Sequence, residues 1–141
     1  MINNQLNEIV KFNPDIVTIS IGANDVTHFK SNDDILKNIK KIITQLTENT
    51  TAQIYVTNIP IIDHAPLIPF PVRKYFSYQI STLNPKLLAL ENDRVHVVDI
   101  HEFGWDNYPD INVTFAKDKF HPSDEGYNNW TKAFLSKIVV K

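Results

Sequence analysis

Asp118 and His121, in the stretch DKFHPSDEGY, place a carboxylate and an imidazole three positions apart. An imidazole titrates near neutral pH and can take a proton from a hydroxyl. A carboxylate beside it fixes the tautomer and favours the imidazolium that results. Pro122 restricts the backbone directly after the histidine, and Ser123 can cap a following helix whose first turn holds Asp124 and Glu125. The competing reading is a polar surface loop that merely caps that helix. A second polar stretch, GANDVTH at 22–28, carries another set. Gly22 permits a backbone turn that a Cβ resists. Asn24 presents a neutral amide donor suited to a developing oxyanion, and Asp25 can hold the loop by accepting backbone amides. Alone, Gly-x-Asn-Asp after a strand is ordinary turn chemistry. Asp25–His28 also repeats the D-x-x-H spacing, so two carboxylates and two imidazoles could hold zinc or manganese. Spacing of this kind is a weak signal, and the expectation is no metal and no cofactor.

Both stretches need elements to position them. Ile2, Leu6, Ile9 and Val10 recur at helical spacing and predict a helix over 2–11. The β-branched run IVTISIG predicts a buried strand at 16–21, with AQIYVTN at 52–58 and VHVVDI at 95–100 as the next two. Ser31 can cap a helix striped by Ile35, Leu36, Ile39, Ile42, Ile43 and Leu46. The segment from Asn58, with prolines at 60, 66, 69 and 71, reads as a long loop that enters a helix near Val72. That loop either walls a ligand site or simply packs on the core. Pro85 should kink or divide the helix that follows. A last helix, from about Asp124 to Val139, is expected to bury Tyr127, Trp130, Phe134 and Ile138. Alternating helices and strands make a parallel sheet with helices on both faces, in one domain over 1–141. Ligands of such sheets bind beyond the carboxyl ends of the strands, where both polar stretches fall.

Bulk properties narrow the classes. With 141 residues, 43% hydrophobic and 21% charged, the chain is long enough to bury a core and is not of disordered type. A net charge of −2 without any basic block argues against nucleic-acid binding. The absence of cysteine removes disulfides, thiolate zinc sites and a thiol nucleophile. No apolar run reaches membrane-spanning length, and the N-terminus lacks a signal-peptide pattern. The default expectation is a cytoplasmic protein, or a secreted one if a signal peptide lies upstream.

Together, on these elements and in this order, the two stretches resemble the SGNH hydrolase family, also called GDSL esterases and lipases. Its third block, G-x-N-D after a strand, is matched by Gly22, Ala23, Asn24 and Asp25, and its fifth, D-x-x-H-P before the last helix, by Asp118, His121 and Pro122. The resemblance implies a three-layer α/β/α sandwich with a parallel, flavodoxin-like sheet. It also implies hydrolysis of a small acyl ester through a serine nucleophile. In that chemistry His121 is the general base, Asp118 orients it, Asn24 donates to the oxyanion, and Gly22 and Asp25 support the motif. The family's first block, G-D-S, and its second, a glycine completing the oxyanion hole, have no match, so the chain reads as truncated at its N-terminus. Ser20 lies in a predicted strand, Ser31 and Ser123 look like caps, and Ser77, Ser81 and Ser136 fall in helical stretches. None sits on the sharp strand-to-helix turn that exposes such a nucleophile, and the expectation is that this chain contains none.

By the same resemblance the absent first strand would pair with residues 16–21. Its loss leaves an apolar edge with no Lys or Pro to blunt it, a template for association. The expected partners are a complementing N-terminal segment or a second copy of the chain at that strand. The alternative to an active ester hydrolase is an inactive fragment or binding module that pairs with whatever carries the missing strands.

Overall fold

The computed structural model describes residues 2–107 and 110–138. Three parallel strands in the order β1–β2–β3 form the sheet: β1 (Ile16–Ile19), β2 (Gln53–Thr57) and β3 (Val95–Val98). Val17 pairs with Ile54, and Ile54 in turn with Val95, so the strand ends lie level across the sheet. Helices α1 (Ile2–Phe12), α3 (Asn32–Asn49) and α4 (Phe70–Leu88) cover one face. There Val17, Ile19, Ile54, Val56 and Val97 join Ile35, Ile39, Phe76, Ile80 and Leu83 in the main core. Helices α5 (Ile100–Asn107) and α7 (Asp124–Lys137) lie on the other face, where Tyr55, Val98, Ile100 and Ala133 form a smaller core with Trp130 and Phe134 against it. The result is the expected α/β/α sandwich. Among the described residues no helix is long and apolar enough to cross a membrane.

Strand β1 is buried on one side only. Val17 and Ile19 are inside, whereas Ile16, Thr18 and Ser20 are exposed, and no strand lies beyond β1 among the described residues. The strand expected at 16–21 to be buried is therefore a half-covered edge. β2, in the middle, is buried on both faces, as its near-continuous apolar run requires.

Several expectations change. Residues 23–27 are helix, not loop: α2 (Ala23–Thr27) starts straight after Gly22. α4 runs unbroken through Pro85. Pro85 and Ser81, the residue whose carbonyl loses its helical donor, are both exposed and near the helix end, where a lost main-chain bond costs least. α5 and the short α6 (Ile111–Thr114) have no strong periodic signal in the sequence. In α7 the inward positions are Gly126, Asn129 and Ala133, and Tyr127, expected to be buried, is 49% exposed because it sits one residue round from that face. Val139, the expected end of that helix, lies outside the described residues.

Polar clamps tie the site-bearing loops to this frame. Asn84 on α4 takes both groups of Ile59: its Oδ1 accepts from Ile59 N–H at 2.9 Å and its Nδ2 donates to Ile59 C=O at 3.0 Å. Asn58 donates to Asp99 at 2.7 Å and accepts from Ile100 N–H at 3.0 Å, joining the ends of β2 and β3. Gln79 Nε2 donates to Lys30 C=O and Asn32 Nδ2 donates to Gln79 C=O, which fixes the chain behind α2.

Candidate active site

Asp118 and His121 occupy a tight turn closed by an antiparallel bridge between Phe115 and Pro122. Ala116 N–H donates to His121 C=O at 2.8 Å, and Ser123 N–H to Thr114 C=O at 2.9 Å. Lys119, at φ +61°, lets the chain reverse between the acid and the histidine. Ser123 caps α7, accepting from Gly126 N–H at 3.0 Å, and its hydroxyl donates to Val113 C=O. A Cβ on Gly126 would stand 2.6 Å from Thr114 C=O, so the glycine lets α7 start against α6.

Within this turn both oxygens of the Asp118 carboxylate are engaged. Oδ1 accepts from the N–H groups of Phe120 and His121, both at 3.0 Å, and Oδ2 accepts from His121 Nδ1 at 2.7 Å. The imidazole bond, then the two amides, hold its pKa down at about 2. With Nδ1–H engaged, the neutral ring carries its lone pair on Nε2. Both side chains are well exposed, His121 at 65% and Asp118 at 50%. Phe120 meets the imidazole edge-on, with centroids 5.1 Å apart.

Asn24 arrives from the opposite side. Gly22, at φ +100°, ends the β1 segment, and α2 begins at once, so Asn24 sits in the first turn of that helix. A Cβ on Gly22 would lie 2.8 Å from Ile59 Cδ1, as well as straining the backbone. Asn24 C=O accepts from His28 N–H at 3.0 Å, and His28 Nδ1 lies 2.6 Å from the same oxygen. The loop is closed by these backbone bonds and not by Asp25, whose carboxylate makes no hydrogen bond among the described residues. His28 is thus engaged locally. No three His, Cys, Asp or Glu side chains converge on a metal-sized space among the described residues.

Asn24 and His121 border one cavity of about 130 Å³, walled by Pro60, Ile61, Phe115 and Trp130. The proline-rich segment therefore contributes a wall, through Pro60–Ile62. A second, open groove of about 560 Å³ runs along the free edge of β1, from Leu6 and Ile9 past Thr18 and Ser20 to Asn24. Ala23, Asn24, Pro60 and Trp130 border both, so the groove and the cavity adjoin. No serine hydroxyl among the described residues bonds to His121. Ser77 donates to Asp63, Ser81 to Tyr78 C=O and Ser136 to Ala133 C=O, while Ser20 accepts from Thr57. Asn129 and Trp130, which also line the cavity, carry no spacing signal that marks them beforehand.

No curated protein sequence matches the chain. Solved structures do. A lipolytic protein of the G-D-S-L family from Veillonella parvula superimposes with a TM-score of 0.75 at 18% identity, covering 96% of this chain and 71% of that one. A GDSL-like lipase from Bacteroides thetaiotaomicron gives 0.71 at 20% identity, with 94% and 66% covered. A family 3 carbohydrate esterase from Clostridium thermocellum gives 0.63 at 20% identity, with 96% and 61% covered. The chain thus spans 61% to 71% of the length of these three structures, and the likeness establishes the SGNH-type fold. The GDSL-like lipase/acylhydrolase family matches residues 1–128, nearly the whole chain, and the protein belongs to that family.

Proposed function

We propose that residues 1–141 supply the acid–base and oxyanion half of a carboxylic ester hydrolase. Its nucleophilic serine would be carried by polypeptide outside these residues, docked along the free edge of β1. One observation carries this reading: Asn24 and the Asp118-bound His121 border a single cavity, and Asn24 also borders the β1 groove. A strand laid parallel in that groove, as β2 runs beside β1, delivers its carboxyl end beside Asn24.

The chemistry follows from the groups present. His121 Nε2 takes the serine proton while the serine oxygen bonds to the acyl carbon, and Asp118 stabilises the imidazolium through Nδ1–H. The carbonyl electrons move onto oxygen, towards which Asn24 Nδ2 donates. Collapse breaks the ester C–O bond, and the alcohol leaves with the proton from His121. Water then attacks the acyl-serine by the same route, releasing the acid and restoring the serine. Neither metal nor cofactor is required. The substrate is a small acyl ester, and the carbohydrate esterase from Clostridium thermocellum supports esters of sugars among the candidates.

A second reading, binding without turnover, is favoured by the lack of a serine partner for His121 among the described residues. A fluorophosphonate probe separates the two. The chain alone should not be labelled. A chimera bearing, at its N-terminus, the Gly-Asp-Ser segment of the Veillonella relative should be labelled at that serine. Labelling should fall by about 10³-fold or more with His121→Ala, the scale of losing one member of a triad. A folded chimera that stays unlabelled would sink the proposal, as would labelling of the chain alone at one of its own serines.

A further inference from the structure

Large apolar side chains are left exposed around the start of α4: Phe29, Leu67, Phe70, Tyr75 and Tyr78. Phe70, Lys74 and Tyr78 follow one another at four-residue steps, so they share the solvent face of that helix. The Lys74 ammonium stands over the Phe70 ring, 5.3 Å from its centre. Phe29 has φ +57°, an uncommon backbone for a bulky residue, and its ring lies 5.7 Å from that of Tyr75. The strained turn thus holds a ring that stays 60% exposed. Charge is segregated in the same place. The chain has a net charge of −2, yet no acid occurs between Asp63 and Glu91, whereas Arg73, Lys74 and Lys86 do. Lys86, at the far end of α4, pairs with Asp33. Lys30 directly follows Phe29, and Lys119 C=O accepts from Leu67 N–H at 3.0 Å. Both lysines are exposed. The adjoining acids are engaged: Asp63 is buried and accepts from Ser77, and Asp118 holds His121.

We infer that this surface binds an anionic lipid–water interface, with the first half of α4 and the Phe29 turn laid against the headgroups. Tyrosines with polar tips and lysines with long apolar stems suit a boundary that is wet on one side and apolar on the other. The cations meet the negative headgroups, while Phe29, Leu67 and Phe70 enter the layer beneath them. A second copy of the chain fits worse. A two-fold contact through this face would set the lysines of one copy against those of the other. Phe29 follows the helix of Asn24, and Leu67 is bonded to the turn of His121, so binding would hold both segments beside the lipid. None of this depends on the esterase reading.

The test is co-sedimentation of the 141-residue chain with vesicles. Vesicles of equal phosphatidylglycerol and phosphatidylcholine should carry the chain down, and pure phosphatidylcholine should bind it at least about tenfold less. Raising the salt from about 0.1 M to about 1 M shortens the screening length from about 10 Å to about 3 Å, and should weaken binding about tenfold. Lys74→Glu, and separately the pair Phe70→Ser with Tyr78→Ser, should each weaken binding about tenfold or more. Their circular dichroism should not change, because all three side chains are exposed. Leu135→Ser, as exposed as Phe70 but on α7, should bind like the wild type. The inference is overturned by equal binding to both vesicles, or by binding that survives the α4 variants. Displacement from the vesicles by soluble polyglutamate would overturn it in favour of an acidic polypeptide. Absence of vesicle binding, with self-association that the α4 variants abolish, would make the surface a contact between copies instead. Probe labelling of the chimera is a separate readout, so either result can fail without the other.

Discussion

A catalytic role for His121 requires that Asp118 stay ionised over the working pH range, and three accepted hydrogen bonds secure that. The carboxyl pKa of about 2 lies below the ordinary 3.8, so the turn prefers the carboxylate. A depressed acid pKa stabilises the fold above the unfolded-state value, and that contribution is lost as pH falls through the folded one. Carbon-13 titration of the Asp118 carboxyl should therefore give a midpoint near 2, rising towards 3.8 in His121→Ala, whose ring supplies the largest part of the shift. The thermal-midpoint difference between the wild-type chain and Asp118→Asn should likewise persist at neutral pH and close as the pH falls below about 4 towards 2. A midpoint near 4 in the wild type would show that the Asp118–His121 bond is not held in solution. Asp25 is the contrasting residue. Its place in G-x-N-D suggested a loop-holding carboxylate, but main-chain bonds from Val26, His28 and Lys30 N–H hold this segment and leave the Asp25 side chain bordering the β1 groove.

At the scale of elements, the strands were legible from their β-branched apolar runs, and α3 and α7 from the serines that cap them. Ser31 caps α3 as its spacing implied, accepting from Asp34 N–H. Pro85 misled because it stands in the last turn of α4, where few helical bonds follow it. Here the affected residue, Ser81, is exposed, and Asn84 on the buried side of the helix grips Ile59. The inward face of α7 misled for another reason. Tyr127 is the larger apolar residue, yet the small Gly126 has to face α6 for the helix to start there, which turns Tyr127 outward. Asn84 shows how far such long-range grips fix the site. It sits in α4 and holds both main-chain groups of Ile59, next to Pro60 and Ile61 of the cavity wall. Asn84→Ala should strip two buried backbone groups of their partners and cost at least about 2 kcal/mol in chemical denaturation. If the loss is only a few tenths, water reaches Ile59 and the clamp is not what holds the wall.

The molecule as a whole has one face of its sheet incompletely covered. At β2 and β3, helices α5 and α7 bury Tyr55 and Val98, but at β1 the same face ends on exposed Ile16, Thr18 and Ser20. Asp15 C=O accepts from Gln53 N–H. By strand alternation, the main-chain groups of Ile16, Thr18 and Ser20 then point away from β2, to the open side. Nothing at this edge carries the lysine, proline or bulge with which sheets prevent pairing. Two consequences can be separated by experiment. In the chain alone, the amides of Thr18 and Ser20 should exchange quickly when dilute and become protected as concentration rises and copies pair at the edge. Thr18→Lys, a change on the exposed side, should keep the chain monomeric by light scattering without altering its circular dichroism. In the Gly-Asp-Ser chimera the same amides should be protected at every concentration, because the added segment occupies the edge within one molecule. A chain that stays monomeric at high concentration with those amides protected would mean that the edge is already satisfied. The serine would then have to reach His121 by a route other than a strand docked on β1.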